Sequence, residues 1–208
     1  MSRELYTIGH SNHPLEKFIE LLLQHAITAV GDVRSHPYSR FNPQFNRETL
    51  QKELKKHHLS YVFLGQELGA RSDDPGCYVE GKVQYRRLAQ TEPFQRGLDR
   101  LRKGMESYRI ALMCAEKDPL TCHRAILIGR RLRAEPVEIK HILEDGRLEG
   151  QRELESRLLA VLKLPQRDLF TTAEEFIELA YDLQGEKIAY VAEPEGETAR
   201  PDQEGDHY

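Results

Sequence analysis

No stretch of this 208-residue chain approaches the roughly 20 consecutive apolar residues that a membrane-spanning helix needs, and MSRELYTIGH at its start has no apolar signal core. The expectation is a cytoplasmic protein with no membrane partner. Cysteine is scarce and odd in number: Cys77, Cys114 and Cys122 are all there is. In a reducing compartment these are free thiols rather than structural disulfides, and Cys77, in a loop-like stretch, is expected to be exposed. Surplus positive charge is missing too. The formal net charge is -4, and Glu193 to Tyr208 carries six acids against one arginine, so the remainder lies within about one charge of neutral. Nothing in that balance points to nucleic acid as a partner. Residues 191–208 have so little apolar surface to bury that a disordered acidic tail is expected there.

What is present is enough for one core: hydrophobic residues make up 39% and charged ones 31% of the chain, as in a water-soluble globular domain with appendages. Ile110 to Met113 is an apolar run too short for a helix and too uniform for a half-exposed strand. Such a run marks a strand buried on both faces, as in a parallel sheet. After Cys114, Asp118-Pro119 reads as an N-cap with proline at the first helical position, and Ala125, Ile126, Ile128, Gly129 and Leu132 carry the buried face of the helix expected to follow.

The same alternation runs through the chain. Strands are expected at Leu5 to Ile8, from Ala29-Val30, at Tyr61 to Leu64, at Ile110 to Met113 and at Val137 to Leu143. Helices are expected from Leu15 to Leu23, Arg47 to His58 and Pro93 to Lys103, with two more at Glu149 to Leu162 and Thr171 to Leu183. This pattern predicts an α/β fold: about five mostly parallel strands in an open three-layer, Rossmann-like sheet, a partial barrel being the alternative. The α/β domain is set at residues 1–145 and a helical extension packed on it at 146–190.

In a parallel sheet the carboxyl ends of the strands share one edge, where ligands bind. His10, Asp32, Arg34, Gly65, Cys114 and Glu116 all fall at or just past such ends, so they are expected to converge; the bland alternative is that polar residues simply mark where strands stop. Cys122, expected about four positions into the helix from Pro119, would have its thiolate favoured by the helix N-terminus and by His123 and Arg124. It is the candidate nucleophile, with His10 or His123 assisting, unless it faces the core as a small hydrophobe. Cys114, closing a buried strand, reads as structural. Asp32 and Glu116 are candidate general acid and base, or partners of arginines.

Arg34, Arg40, Arg71 and Arg124 suit an anion, because guanidinium forks fit phosphate or carboxylate, and Ser11 joins them at the start of the helix after Gly9-His10. Tyr38, Phe41 and Phe45, interleaved with these arginines in the long loop from Ser35 to Asn46, could stack on a ring or could simply pin that loop. Two named mechanisms fail on spacing. A cysteine phosphatase wants arginine six residues after its cysteine, where Leu120 stands after Cys114; a rhodanese-like carrier wants the reactive cysteine to open the loop, and Cys122 comes too late. No metal and no other cofactor is expected: on a helix Cys122 and His123 would point about 100° apart, and a set of His10, Cys114 and Cys122 has no spacing signature.

Four motifs in order, TIGHS (Thr7 to Ser11), DVR (Asp32 to Arg34), LGxxLG (Leu64 to Gly69) and CAEKDPLTCHR (Cys114 to Arg124), resemble the bacterial and archaeal family called domain of unknown function 488. The resemblance covers about residues 5 to 145. It departs past Asp145-Gly146, where the family leads one to expect a histidine and Leu148-Glu149-Gly150 stands instead. The family implies the same fold and site and gives no reaction. The functional expectation is therefore an enzyme acting on a small anionic or nucleotide-like substrate at the sheet edge, thiol-dependent if Cys122 is its nucleophile; the alternative is a non-catalytic module that binds a nucleotide or nucleic acid. Oligomeric state is not set by the sequence.

Overall fold

The computed structural model describes residues 3–192, so the expectation for the acidic tail falls outside it except at Val191, which pairs with Lys82 in an antiparallel bridge. The central sheet holds six strands. In chain order these are β1 (Arg3–Gly9), β2 (Ala29–Asp32), β3 (Ser60–Phe63), β6 (Ile110–Cys114), β7 (Val137–Ile142) and β8 (Leu148–Gly150), with a separate hairpin β4 (Tyr78–Val79) and β5 (Lys82–Val83) between β3 and β6. The spatial order is β3-β2-β6-β1-β7-β8, parallel throughout except where β8 runs antiparallel to β7. The sheet is open, which settles the choice between sheet and barrel. β8 was expected to be the first turn of a helix: three residues are too few for a period, and it exists because Gly146, at a φ of +85°, closes a hairpin behind β7.

Strand parity sorts the core. On β6, Ile110, Leu112 and Cys114 belong to one apolar cluster and Ala111 and Met113 to another. The second cluster is covered by α1 (Leu15–Gln24) and α2 (Arg47–Lys56) through Phe18, Leu22, Leu50 and Leu54. The first is covered by α5 (Glu92–Gly104), α7 (Gln151–Val161) and α8 (Ala173–Ile188) through Phe94, Leu98, Leu154, Leu158, Phe176 and Tyr181. Connections that move toward β3 lie on one face and those that move toward β7 on the other, as a single crossover handedness demands. β1 and β6 are neighbours whose connections leave in opposite directions, so the switch point of the sheet lies between Gly9 and Cys114.

Two short helices, α3 (Gly65–Leu68) and α4 (Tyr85–Leu88), fill the long passage from β3 to β6. The helix expected from Pro119 is interrupted. Pro119–Thr121 is a single 3₁₀ turn capped by Asp118, Cys122 is extended (φ -131°, ψ 138°), and a π-helical stretch, Arg124–Gly129, then leads into α6 (Arg130–Leu132). No helix among the described residues is long and apolar enough to cross a membrane.

Candidate functional site

The polar residues at the strand ends form two groups on one edge, one on each face of the sheet. On the α1/α2 face, Asp32 is wholly buried and accepts from Arg34 three times: Nε to Oδ1 (2.9 Å), Nη2 to Oδ2 (2.7 Å) and the backbone N–H to Oδ1 (3.1 Å). The Tyr61 hydroxyl donates to Oδ2 as well (2.7 Å). With four donors on its two oxygens and no exposure, Asp32 holds Arg34 in place. Arg34 in turn donates through Nη2 to the Phe45 carbonyl (2.8 Å) and through Nη1 to His10 Nε2 (3.3 Å). Burial works against the charge on Arg34, but the Asp32 carboxylate raises its pKa above the ordinary value.

His10 Nδ1–H donates to the Ser11 carbonyl (2.8 Å), and the ring stacks on Phe45 with centroids 4.3 Å apart. Both ring nitrogens are therefore engaged, and burial followed by the Arg34 charge pushes its pKa down to about 4. His10 is a neutral acceptor for Arg34, on the face of the sheet opposite the cysteines.

The second group lies on the other face, past the end of β6. Cys122 Sγ donates to Glu116 Oε2 (3.0 Å), and His123 Nδ1 lies 3.6 Å from Cys114 Sγ and 3.9 Å from Cys122 Sγ. His123 Nε2–H donates to the Val33 carbonyl (3.0 Å), which fixes Nδ1 toward the sulfurs. Three of the four residues are buried, and Glu116 stands at the solvent boundary. One ligand-capable atom from each of Cys114, Glu116, Cys122 and His123 lies within 4.8 Å of every other, a geometry able to hold a metal ion. The expectation that Cys122 and His123 diverge assumed a helix through both; the extended backbone at Cys122 removes that premise.

The two thiols differ. Burial alone would raise both pKa values, but Cys122 is lowered well below the ordinary thiol range by the neighbouring Cys114 thiol and by the Arg124 and His123 charges. Cys114, beside that sulfur and buried, is raised. Glu116 is raised, first by burial and then by the Cys122 charge. On His123 the charged neighbours outweigh burial, and its pKa goes up.

Arg124 is 0% exposed and gives Nη1 to the Glu116 carbonyl (2.7 Å) and Nη2 to the Lys117 carbonyl (3.0 Å), while its Nε has no partner among the described residues. It shapes the loop from beneath, with Nη1 and Nη2 spent on main-chain carbonyls. Arg71 is exposed and lies over the Tyr190 ring, 4.0 Å from its centroid, outside both groups. Arg40 is exposed on the loop beyond β2, with Phe41 beside it 88% exposed and Tyr38 bonded to Glu48. Phe45 belongs to the core. Ser11, at a φ of +47°, places its N–H on the Ala115 carbonyl (2.9 Å) and so borders the Cys114–Glu116 loop. Cys77 is buried, against expectation, because its 3₁₀ turn packs inward.

Sequence reasoning did not find how the edge is held together. Gly9 lets the chain past β6 lie directly on β1, since a Cβ there would collide with the Glu116 carbonyl, and Gly65 does the same beneath the Arg34 carbonyl. From α7, Arg157 grips Asp118 through both Nη atoms (2.9 Å each) as well as Glu149. From α8, Gln184 Nε2 donates to the Leu120 carbonyl (2.6 Å). Beneath the edge Thr7 donates to His141 Nδ1 (2.8 Å), whose Nε2–H reaches Gln151 Oε1 (3.1 Å). The histidine expected past Gly146 is absent, and His141, on β7 opposite Thr7, is the buried histidine of this region.

The protein-family model described as domain of unknown function DUF488 matches residues 14–130. The chain belongs to that family. The match takes in DVR, LGxxLG and the CAEKDPLTCHR loop, while TIGHS and everything from α7 onward lie outside it. None of the curated proteins compared with the chain matches it.

Proposed function

We propose that this protein is an enzyme acting on a small anionic or nucleotide-like substrate at the C-terminal edge of the sheet, with Cys122 and Glu116 as the reacting pair. The observation that carries the reading is the 3.0 Å contact of the Cys122 thiol with Glu116 at the solvent boundary. Nucleophile and base lie within hydrogen-bond reach, and the base opens to the side from which a substrate arrives. Glu116 takes the thiol proton; Cys122 Sγ forms a bond to the electrophilic atom of the substrate as the bond to the leaving group breaks, and Glu116 returns the proton to that group. Water then releases the second product. Arg124, buried with no carboxylate partner among the described residues, gives the loop a positive charge, which favours both thiolate and an approaching anion.

The test is alkylation of reduced, chelator-treated protein with iodoacetamide at neutral pH, followed by mass spectrometry. Cys122 is expected to react well before Cys114 and Cys77, and Glu116→Gln to slow that reaction. Labelling of Cys122 no faster than of the buried Cys77 overturns the nucleophile. If Cys122→Ser leaves ligand binding intact and no turnover of any bound anion is ever lost by it, the edge is a binding module.

A further inference from the structure

Cys114, Glu116, Cys122 and His123 bring two sulfurs, an imidazole nitrogen and a carboxylate oxygen within 4.8 Å of one another. We propose that these four side chains form a mononuclear site for a thiophilic divalent cation of the zinc class. Zinc binds thiolate at about 2.3 Å and imidazole at about 2.0–2.1 Å in a tetrahedron, which sets the sulfur-to-nitrogen edge near 3.6 Å. His123 Nδ1 stands 3.6 Å from one sulfur and 3.9 Å from the other. The Cys122 to Glu116 distance of 3.0 Å is shorter than such an edge, and Glu116, at the solvent boundary, is the ligand free to move outward. Soft sulfur and imidazole with one oxygen select zinc over magnesium or calcium, which take oxygen.

The surroundings agree with the ligands. A metal-bound histidine usually donates its second ring N–H to a carbonyl or carboxylate, and His123 Nε2–H does so to Val33 at 3.0 Å. The four ligands sit on rigid backbone. Cys114 closes β6 with its carbonyl accepting from His10 N–H, and the Cys122 carbonyl accepts from the Ala125 and Ile126 N–H groups. Charge balances as well: two thiolates and a carboxylate around a divalent ion leave one negative charge, and beside them lies Arg124, a buried cation with no carboxylate partner among the described residues.

The inference deepens the proposed function, since Cys122 and Glu116 serve both; in the loaded protein the reacting sulfur is a metal-bound thiolate. Its test reads metal and no turnover, so the two fail separately. Reduced full-length protein is dialysed against zinc chloride and, in parallel, cobalt chloride, and bound metal is counted by mass spectrometry. One equivalent is expected, with the cobalt form showing thiolate-to-metal charge transfer and tetrahedral ligand-field bands. Cys122→Ser and His123→Ala are each expected to weaken binding by more than about 100-fold, the upper end for loss of an outer-shell partner, while Cys77→Ser leaves it unchanged. Because a core substitution can unfold the chain, folded wild-type protein gives the second readout: zinc should slow alkylation of Cys122. Sub-stoichiometric metal, a cobalt spectrum without thiolate bands, or alkylation indifferent to zinc each overturns the site.

Discussion

His141 sits in the core as a neutral ring, between the Thr7 hydroxyl and the Gln151 amide. Burial, followed by the Arg124 charge, lowers its pKa to about 3, against about 6.5 in an unfolded chain. The unfolded state therefore takes up the proton first. The stability this histidine supports is fully present above about pH 6.5 and is lost as pH falls from there toward 3. Between pH 7 and pH 5 the loss is about 2 kcal/mol, and His141→Gln, keeping a polar partner for Thr7, should flatten the urea-midpoint profile over that window. An unchanged slope would locate the acid sensitivity elsewhere. The pairing of Asp32 with Arg34 was open to sequence reasoning, because residues two apart in extended chain point to one side. Pairing with an arginine was accordingly one of the two roles the sequence offered Asp32, without naming Arg34 as the partner.

At the scale of elements, the strands were legible because both-face burial makes uniform apolar runs such as Ile110 to Met113. The loop after β6 was not. Asp118-Pro119 does cap a helical turn, but that turn stops at Thr121, since the Cys122 backbone goes extended to bring both sulfurs to His123. Tertiary contact overrode a sound local signal, and with it the argument against a shared ligand set. The glycines that make the contact possible carry a cost if changed. Gly9→Ala should lower unfolding stability by about 1–3 kcal/mol, the range for a forced overpacking, as the Glu116 segment is pushed off β1; urea melts that superimpose on wild type would show that the segment yields freely.

At the scale of the whole molecule, the family match leaves out the two C-terminal helices. α7 and α8 lie beyond residue 130, yet Leu154, Leu158, Leu159, Phe176, Ala180 and Tyr181 share an apolar cluster with Leu112 and Ile126 of the α/β body. Arg130 and Arg133 tie α6 and its end to Glu178, Asp182 and Glu155. Amphipathic spacing made these helices foreseeable, but not that they close one face of the sheet and clasp the site loop through Arg157 and Gln184. A chain ended at Asp145 should accordingly lose its cooperative thermal transition, observed by circular dichroism; a sharp melt would make the helices an independent appendage.

The π-helical stretch bears on how this chain is compared with its relatives. Arg130 N–H reaches back to the Ala125 carbonyl, five residues away, so the turn holds one residue more than an α-helical turn of the same contacts. A relative that built ordinary α-helix here would carry one residue fewer between Cys122 and Leu132 while keeping both ends in place. A single-residue gap in that interval would thus be a difference in winding, and shifting it into the Cys122-His123-Arg124 run to tidy an alignment would misassign all three positions.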